Sequence, residues 1–337
     1  MARIRLGGIK IIEGRSHLTS SSPSGENGLP FICHRLAAER INLALLTHLP
    51  DDNVAGSITS ICTDTADSFS SYFHLKADQG NVVKLESEVN ILSIFPHEQR
   101  PIVTGSLLGV MANRSIPVYG LAGSPSAVSI LIPSADTGRV IDALFDVFDF
   151  PTYRSPYDWH AAYRGKEQVL KEIICSYQEE IIKIYNITEQ HDLDLWHLSV
   201  PLSRLAGFSA ALAAMDDAAI RLPFLVAQLH GEKNLCLAFC LAEARSTKAA
   251  QILALHLPDT ALARHEAIAA FYLHGPHFGD RHGIANALIA SMHNGQVAPL
   301  AVSCAISSIS VAVRAEAFER AMRALGARFQ IPPAKAK

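Results

Sequence analysis

Charged residues make up only 18% of the 337 positions and aromatic ones 7%, with two tryptophans. Basic residues are scattered, and the one basic cluster is the short tail Lys335–Lys337, expected to be disordered, so nothing favours nucleic acid. No apolar run approaches the roughly 18 residues that cross a bilayer. The start, Met-Ala-Arg-Ile-Arg-Leu, lacks the apolar stretch of a signal peptide. Three catalytic signatures are missing: Gly-x-x-x-x-Gly-Lys-Ser/Thr, Gly-x-Gly-x-x-Gly and Gly-x-Ser-x-Gly. The six cysteines contain no Cys-x-x-Cys pair, which reads as reduced, buried thiols in a cytoplasmic protein. With 49% hydrophobic residues and a net charge of −3, the chain can bury about two ordinary domains or several small ones.

What the sequence does have is a duplication. Arg100 to Pro151 aligns without a gap on Arg281 to Pro332, at a constant offset of 181. Eleven positions are identical, among them Arg100/Arg281, Asn113/Asn294, Ser129/Ser310 and Arg139/Arg320, while core positions exchange one aliphatic for another. An offset held through loops as well as helices marks a repeated structural unit.

Within the first copy, 88–95 is β-rich and His97-Glu98-Gln99-Arg100-Pro101 is a polar loop. Val103, Leu107, Leu108 and Met111 then recur at helical spacing, and strands follow at 116–121 and 127–132. An amphipathic helix over 138–148 closes the unit. This β-α-β-β-α order is one strand short of a split β-α-β-β-α-β unit. Looser blocks with the same order precede each copy. The first has a strand at 9–12 and a long Ser/Gly loop at 16–28.

The division expected is therefore 1–80, 81–151, a linker at 152–179 with a helix carrying Val169, Ile173 and Tyr177, then 180–260, 261–332 and a tail at 333–337. Incidental features carry little chemistry. His274, His277 and His282 fit no helix face and read as a solvated loop rather than a metal site. Ser126, Ser307, Ser129 and Ser310 read as strand hydroxyls. Arg100 and Arg281 would either contact a ligand or brace their loops.

His97-Glu98-Gln99-Arg100-Pro101 followed by Val103, Leu107 and Ile116-Pro117-Val118 resembles the opening of an ACT module, the small-molecule regulatory domain of phosphoglycerate dehydrogenase and aspartokinase. Gly120 to Ile130, Ser303 to Val311, and Gly7-Gly8-Ile9-Lys10-Ile11 look like parts of the tandem ACT tail of aspartokinases. The resemblance implies an α+β fold of four ferredoxin-like βαββαβ modules in two tandem pairs, with antiparallel sheets and helices on one face. It also implies that a free amino acid binds where modules meet, beside the loop between first strand and first helix. A helix start suits a carboxylate independently of any family, because its first N–H groups are unpaired and the macrodipole is positive there.

The expected ligand contacts are His97, Glu98, Gln99, Arg100 and Val103 in one loop. In the other they are His277, Phe278, Gly279, Asp280, Arg281, Gly283 and Ile284. No catalytic residue, cofactor or metal is expected. Because the chain begins at what resembles the first regulatory strand, the kinase half is expected to be absent and the protein not to be an enzyme. The expected partners are a free amino acid and either a second copy or a separate catalytic chain, with no nucleic acid and no membrane.

Overall fold

The computed structural model describes residues 3–22, 28–51, 56–76, 82–163, 182–275, 281–305 and 308–331. Among them the chain is a mixed α+β structure with antiparallel sheet and nine α-helices. The first half runs β1 (Ile4–Arg5), β2 (Gly8–Ser22), α1 (Leu29–Ala38), β3 (Leu45–Asp51), β4 (Gly56–Asp64), α2 (Ser68–Lys76), β5 (Val82–Phe95), α3 (Pro101–Arg114), β6 (Gly120–Gly123), β7 (Val128–Pro133), α4 (Thr137–Val147), β8 (Phe148–Asp149) and α5 (Pro156–Tyr163). The second runs β9 (Ile182–Lys183), β10 (Asn186–Pro201), α6 (Leu205–Asp217), β11 (Phe224–His230), β12 (Asn234–Ala242), α7 (Ser246–His256), β13 (Leu262–His274), α8 (Ile284–Asn294), β14 (Ala301–Ala305), β15 (Ser308–Arg314), α9 (Phe318–Gly326) and β16 (Phe329–Gln330).

The strand missing from each β-α-β-β-α run is supplied by exchange. The Gly8–Ile12 part of β2 pairs with Ile91–Phe95 of β5, which also pairs with β7. Beyond a register shift, the Arg15–Ser22 part of β2 pairs with β4 and with the Val82–Val89 part of β5. Each long strand thus serves two runs. β10 and β13 do the same in the second half. A residue at positive φ marks the middle of all four strands: Gly14 (67°), Glu88 (58°), Asp192 (55°) and Ala267 (56°). Such a residue bends the strand and turns its continuation toward the next run.

The expected loop at 16–28 is therefore corrected. The Ser/Thr-rich stretch continues β2 to Ser22, because its backbone pairs with both β4 and β5, and His17 Nε2 meets Ser60 Oγ at 2.5 Å inside the sheet. The expected strand at 116–121 shrinks to β6, starting at Gly120. Ser115 closes α3 in the left-handed conformation, Ile116 N–H donates to the Met111 carbonyl, and Pro117 has no N–H to give a ladder. The expected helix around Val169–Tyr177 lies outside the described residues.

Each half forms a six-stranded sheet, β3-β4-β2-β5-β7-β6 and β11-β12-β10-β13-β15-β14. Their edges then join, β6 to β11 and β3 to β14, closing a twelve-stranded ring. Closure leaves the ring's strands without a free edge. The helices lie on one face of the sheet, as expected, and closure turns the other face inward. Two clusters of buried residues, to which every described α-helix contributes, lie between helices and the outer strand face. Two further clusters hold strand and loop residues only, and fill the interior. The ring is flattened, since Gln228 Nε2 of β11 donates to Thr47 Oγ1 of β3 at 2.8 Å and Ser303 Oγ of β14 donates to the Gly123 carbonyl of β6 at 3.2 Å.

Candidate functional site

The two halves meet on the outside along two helix seams, α3 against α6 and α1 against α8. At the first, helix contact is close. A Cβ on Gly105 would come within 2.9 Å of Leu212 Cβ and of the Ser209 carbonyl, and Ser209 Oγ donates to the Gly105 carbonyl at 2.6 Å. Glycine is what lets the backbones approach.

The loop ahead of α3 is the one singled out from sequence. Its chain passes through two left-handed residues, Glu98 (φ 52°) and Gln99 (φ 57°), before Arg100 caps the helix. His97 is 4% exposed and its Nε2 contacts the Ser124 carbonyl in the β6–β7 turn. Burial pulls the imidazole pKa below its ordinary value, with the Ser124 contact and the Glu98 charge acting the other way. A neutral ring donating from Nε2 fits that geometry. Val103 is buried in the core beneath the helix start.

Arg100 reaches across to α6. Its Nη2 lies 2.6 Å from Asp216 Oδ2 and its Nε 3.3 Å from Oδ1. Asp216 Oδ1 also accepts from Arg221 Nη1 at 3.0 Å. The hydrogen bond to Asp216 raises the Arg100 pKa. Leu222 N–H donates to the Gln99 carbonyl at 2.9 Å, tying the loop to the chain after α6. Arg100 thereby ties its loop to α6 of the other half.

At the second seam, Gly283 (φ 86°) caps α8 and Ile284 opens it. Both line a cavity with Arg281, facing Cys33, Ala37 and Ile41 at the end of α1. Its free volume is about 20 Å³, room for a water molecule. Burial pushes the Cys33 thiol up to about 12 and the Cys304 thiol well above its usual range, so both are neutral apolar lining. His277, Phe278, Gly279 and Asp280 lie outside the described residues.

The two seams correspond position by position. After α1, Arg40 N–H donates to the Ala37 carbonyl and Ile41 N–H to that of Leu36; after α6, Ala219 N–H donates to the Asp216 carbonyl and Ile220 N–H to that of Met215. Arg40 and Ala219 are both left-handed. Ala37 therefore stands where Asp216 stands, opposite arginines that also correspond. One seam closes on an internal carboxylate. The other has a methyl group there and a cavity. Sequence reading missed Asp216 and Ala37, because they fall in the weakly repeated blocks where no gapless alignment pairs them.

No protein-family model matches the sequence, and no sequence match was found among curated proteins. Solved structures do match. An aspartate kinase from Synechocystis superposes with a TM-score of 0.77 at 16% identity, over 95% of this chain and 56% of that one. The chain thus spans about half the length of that kinase. The regulatory subunit of aspartate kinase from Thermus thermophilus, in a ligand-free form, covers 43% of this chain and 97% of its own, with a TM-score of 0.39 at 15% identity. A structure of aspartokinase alpha and beta subunits covers 42% and 99%, with a TM-score of 0.36 at 16% identity. The fold is that of part of an aspartate kinase. The expectation that the protein is not an enzyme is overturned by the first match, because the protein matched over nearly all of this chain is a catalytic one. Among the described residues no helix is long and apolar enough to cross a membrane.

Proposed function

We propose that the chain is the amino-acid-sensing part of an aspartate-kinase-type enzyme, and that it binds a free amino acid or similar small carboxylate at the α1–α8 seam. In this reading each β-α-β-β-α run with its exchanged strand is an ACT-type module, bounded near 1–80, 81–151, 180–260 and 261–332. Four recurrences of one element order, and the 95% coverage by an aspartate kinase, support it.

The observation that carries the site is the cavity where Arg281 and the start of α8 face Ala37. Arg281 and the α8 amides take the carboxylate, Asp280 takes the ammonium, and His277, Phe278 and Gly279 add the remaining contacts. In the other loop, Glu98 and Gln99 are the residues open to a second ligand, while His97, Arg100 and Val103 position the helix start. At about 20 Å³ the cavity is too small for an amino acid, so binding requires the seam to widen. The ligand then favours the widened arrangement only by its differential affinity for it. That change is what a catalytic unit, on this chain or a separate one, would read. Exposed Phe69 (70%) and Phe73 (66%), one turn apart on α2, supply an apolar patch for such a partner or a second copy.

Isothermal titration with each common amino acid tests the proposal. One of them is expected to give saturable heat that Arg281→Ala abolishes. No heat and no thermal shift with any would remove the sensor reading and leave the fold untouched.

A further inference from the structure

We infer that a second site, for a small molecule carrying phosphate, lies in the cleft between α8 and α9, away from the amino-acid seam. The cleft measures about 360 Å³ and is lined by Ser291, Asn294, Arg320, Arg323 and Arg328, with Gly295 and Ala324 at its narrow end. That volume falls in the range of small-molecule pockets. Among the described residues, none of the three arginines has a carboxylate within ion-pair distance, whereas Arg114 and Arg139 in the first copy do. Ser291 lies beneath them, 2% exposed, and its hydroxyl has no hydrogen-bond partner there.

The duplication supplies an internal control. At the offset of 181 the equivalent positions in the first copy are Val110, Asn113, Arg114, Arg139, Asp142, Asp146 and Val147. There Arg114 Nη2 pairs with Asp146 Oδ2 at 3.2 Å, and Arg139 pairs with Asp136 and donates to the Arg114 carbonyl. Two arginines meet two aspartates, and the first copy neutralises itself. In the second copy Asp142 has become Arg323, Asp146 has become Ala327, Asp136 has become Ala317 and Val147 has become Arg328. Arg114 has become Gly295, whose missing side chain leaves the cleft open; a Cβ there would lie 2.8 Å from Ala324 Cβ. The acids at these positions are lost and one net arginine is gained, while Glu316 and Glu319 enter at Ala135 and Gly138. Three guanidinium groups around one concavity repel one another unless an anion lies between them. The planar two-point fork of arginine matches an oxyanion, which chloride cannot mimic, and a phosphate has oxygens enough to meet more than one guanidinium at once.

Calorimetric titration of the full chain with inorganic pyrophosphate, and with orthophosphate, against sodium chloride of matched ionic strength tests this. Saturable one-to-one pyrophosphate binding is expected. Arg323→Asp, which restores the first copy's charge, should weaken it by at least about tenfold. Arg320→Ala should weaken it too, while Arg139→Ala, the change at the position equivalent to Arg320 in the other copy, should leave it unchanged. All three arginines are exposed, so folding is checked by the thermal midpoint of each variant. The proposal is overturned by no saturable binding above the chloride control, or by binding that Arg323→Asp and Arg320→Ala leave intact in folded protein.

Discussion

Arg100 and Asp216, 116 residues apart, join the two halves through a two-point ion pair with Nη2 and Oδ2 at 2.6 Å. Asp216 is only 9% exposed at its side chain and holds Arg221 as well. Removing it strands one guanidinium at the seam and loosens another. Asp216→Ala is expected to cost about 1–2 kcal/mol, between the values for exposed and buried pairs. Urea denaturation measures it. An unchanged midpoint would mean the seam is held by helix contact alone.

The same seam is sensitive to volume. Gly105→Ala puts a methyl group 2.9 Å from a backbone carbonyl and from Leu212 Cβ, so α3 and α6 must part. Overpacking of this kind costs about 1–3 kcal/mol. Gly138→Ala, with nothing within 4 Å of the added Cβ, is the control and should be neutral or better.

Mid-strand left-handed residues make opposite predictions for two substitutions. Gly14 has φ 67° and open space around it, so Gly14→Ala costs only the backbone term, about 1–2 kcal/mol. Ala267 already bears that cost at φ 56°, and Ala267→Gly should recover about 1 kcal/mol. Thermal midpoints moving in the same direction for both would refute the role assigned to these bends.

Two buried imidazoles make the fold acid-sensitive. Burial lowers the pKa of His17, with Lys84 adding to the effect, and that of His48, each to about 4 from 6.5. Between those values the unfolded chain takes up protons that the folded one refuses, so stability falls as pH drops from about 6.5 to about 4. Each group contributes up to about 3 kcal/mol of that loss. His48→Asn, which can still bond Thr59, should flatten the slope of stability against pH over this window. An identical slope would show that His48 is protonated while folded.

How much of this was legible depended on where the signals lay. α3, α4 and α8 were readable because Val103, Leu107 and Met111, or Leu288 and Met292, recur at helical spacing and are all buried. The outer ends of β2 and β10 were not, since polar strands held by backbone pairing to distant strands look like loops when read alone. Ring closure itself left no trace, because the joining strands β3, β6, β11 and β14 are short and their pairing depends on neither propensity nor alternation. Of the candidate contacts, both helix starts fell where expected. The decisive difference between seams, Asp216 against Ala37, depends on a residue facing the loop from the other half, which no local pattern can reveal.

The exchange between β2 and β5 limits how this protein can be divided. Excising the first eighty residues would not release a self-contained quarter; it would also strip the remaining piece of an outer strand, Gly8–Ile12, bonded to β5. The smallest fragment that keeps both partners of every exchanged strand is half the polypeptide, so gene fusion, circular permutation or duplication could move halves but not quarters.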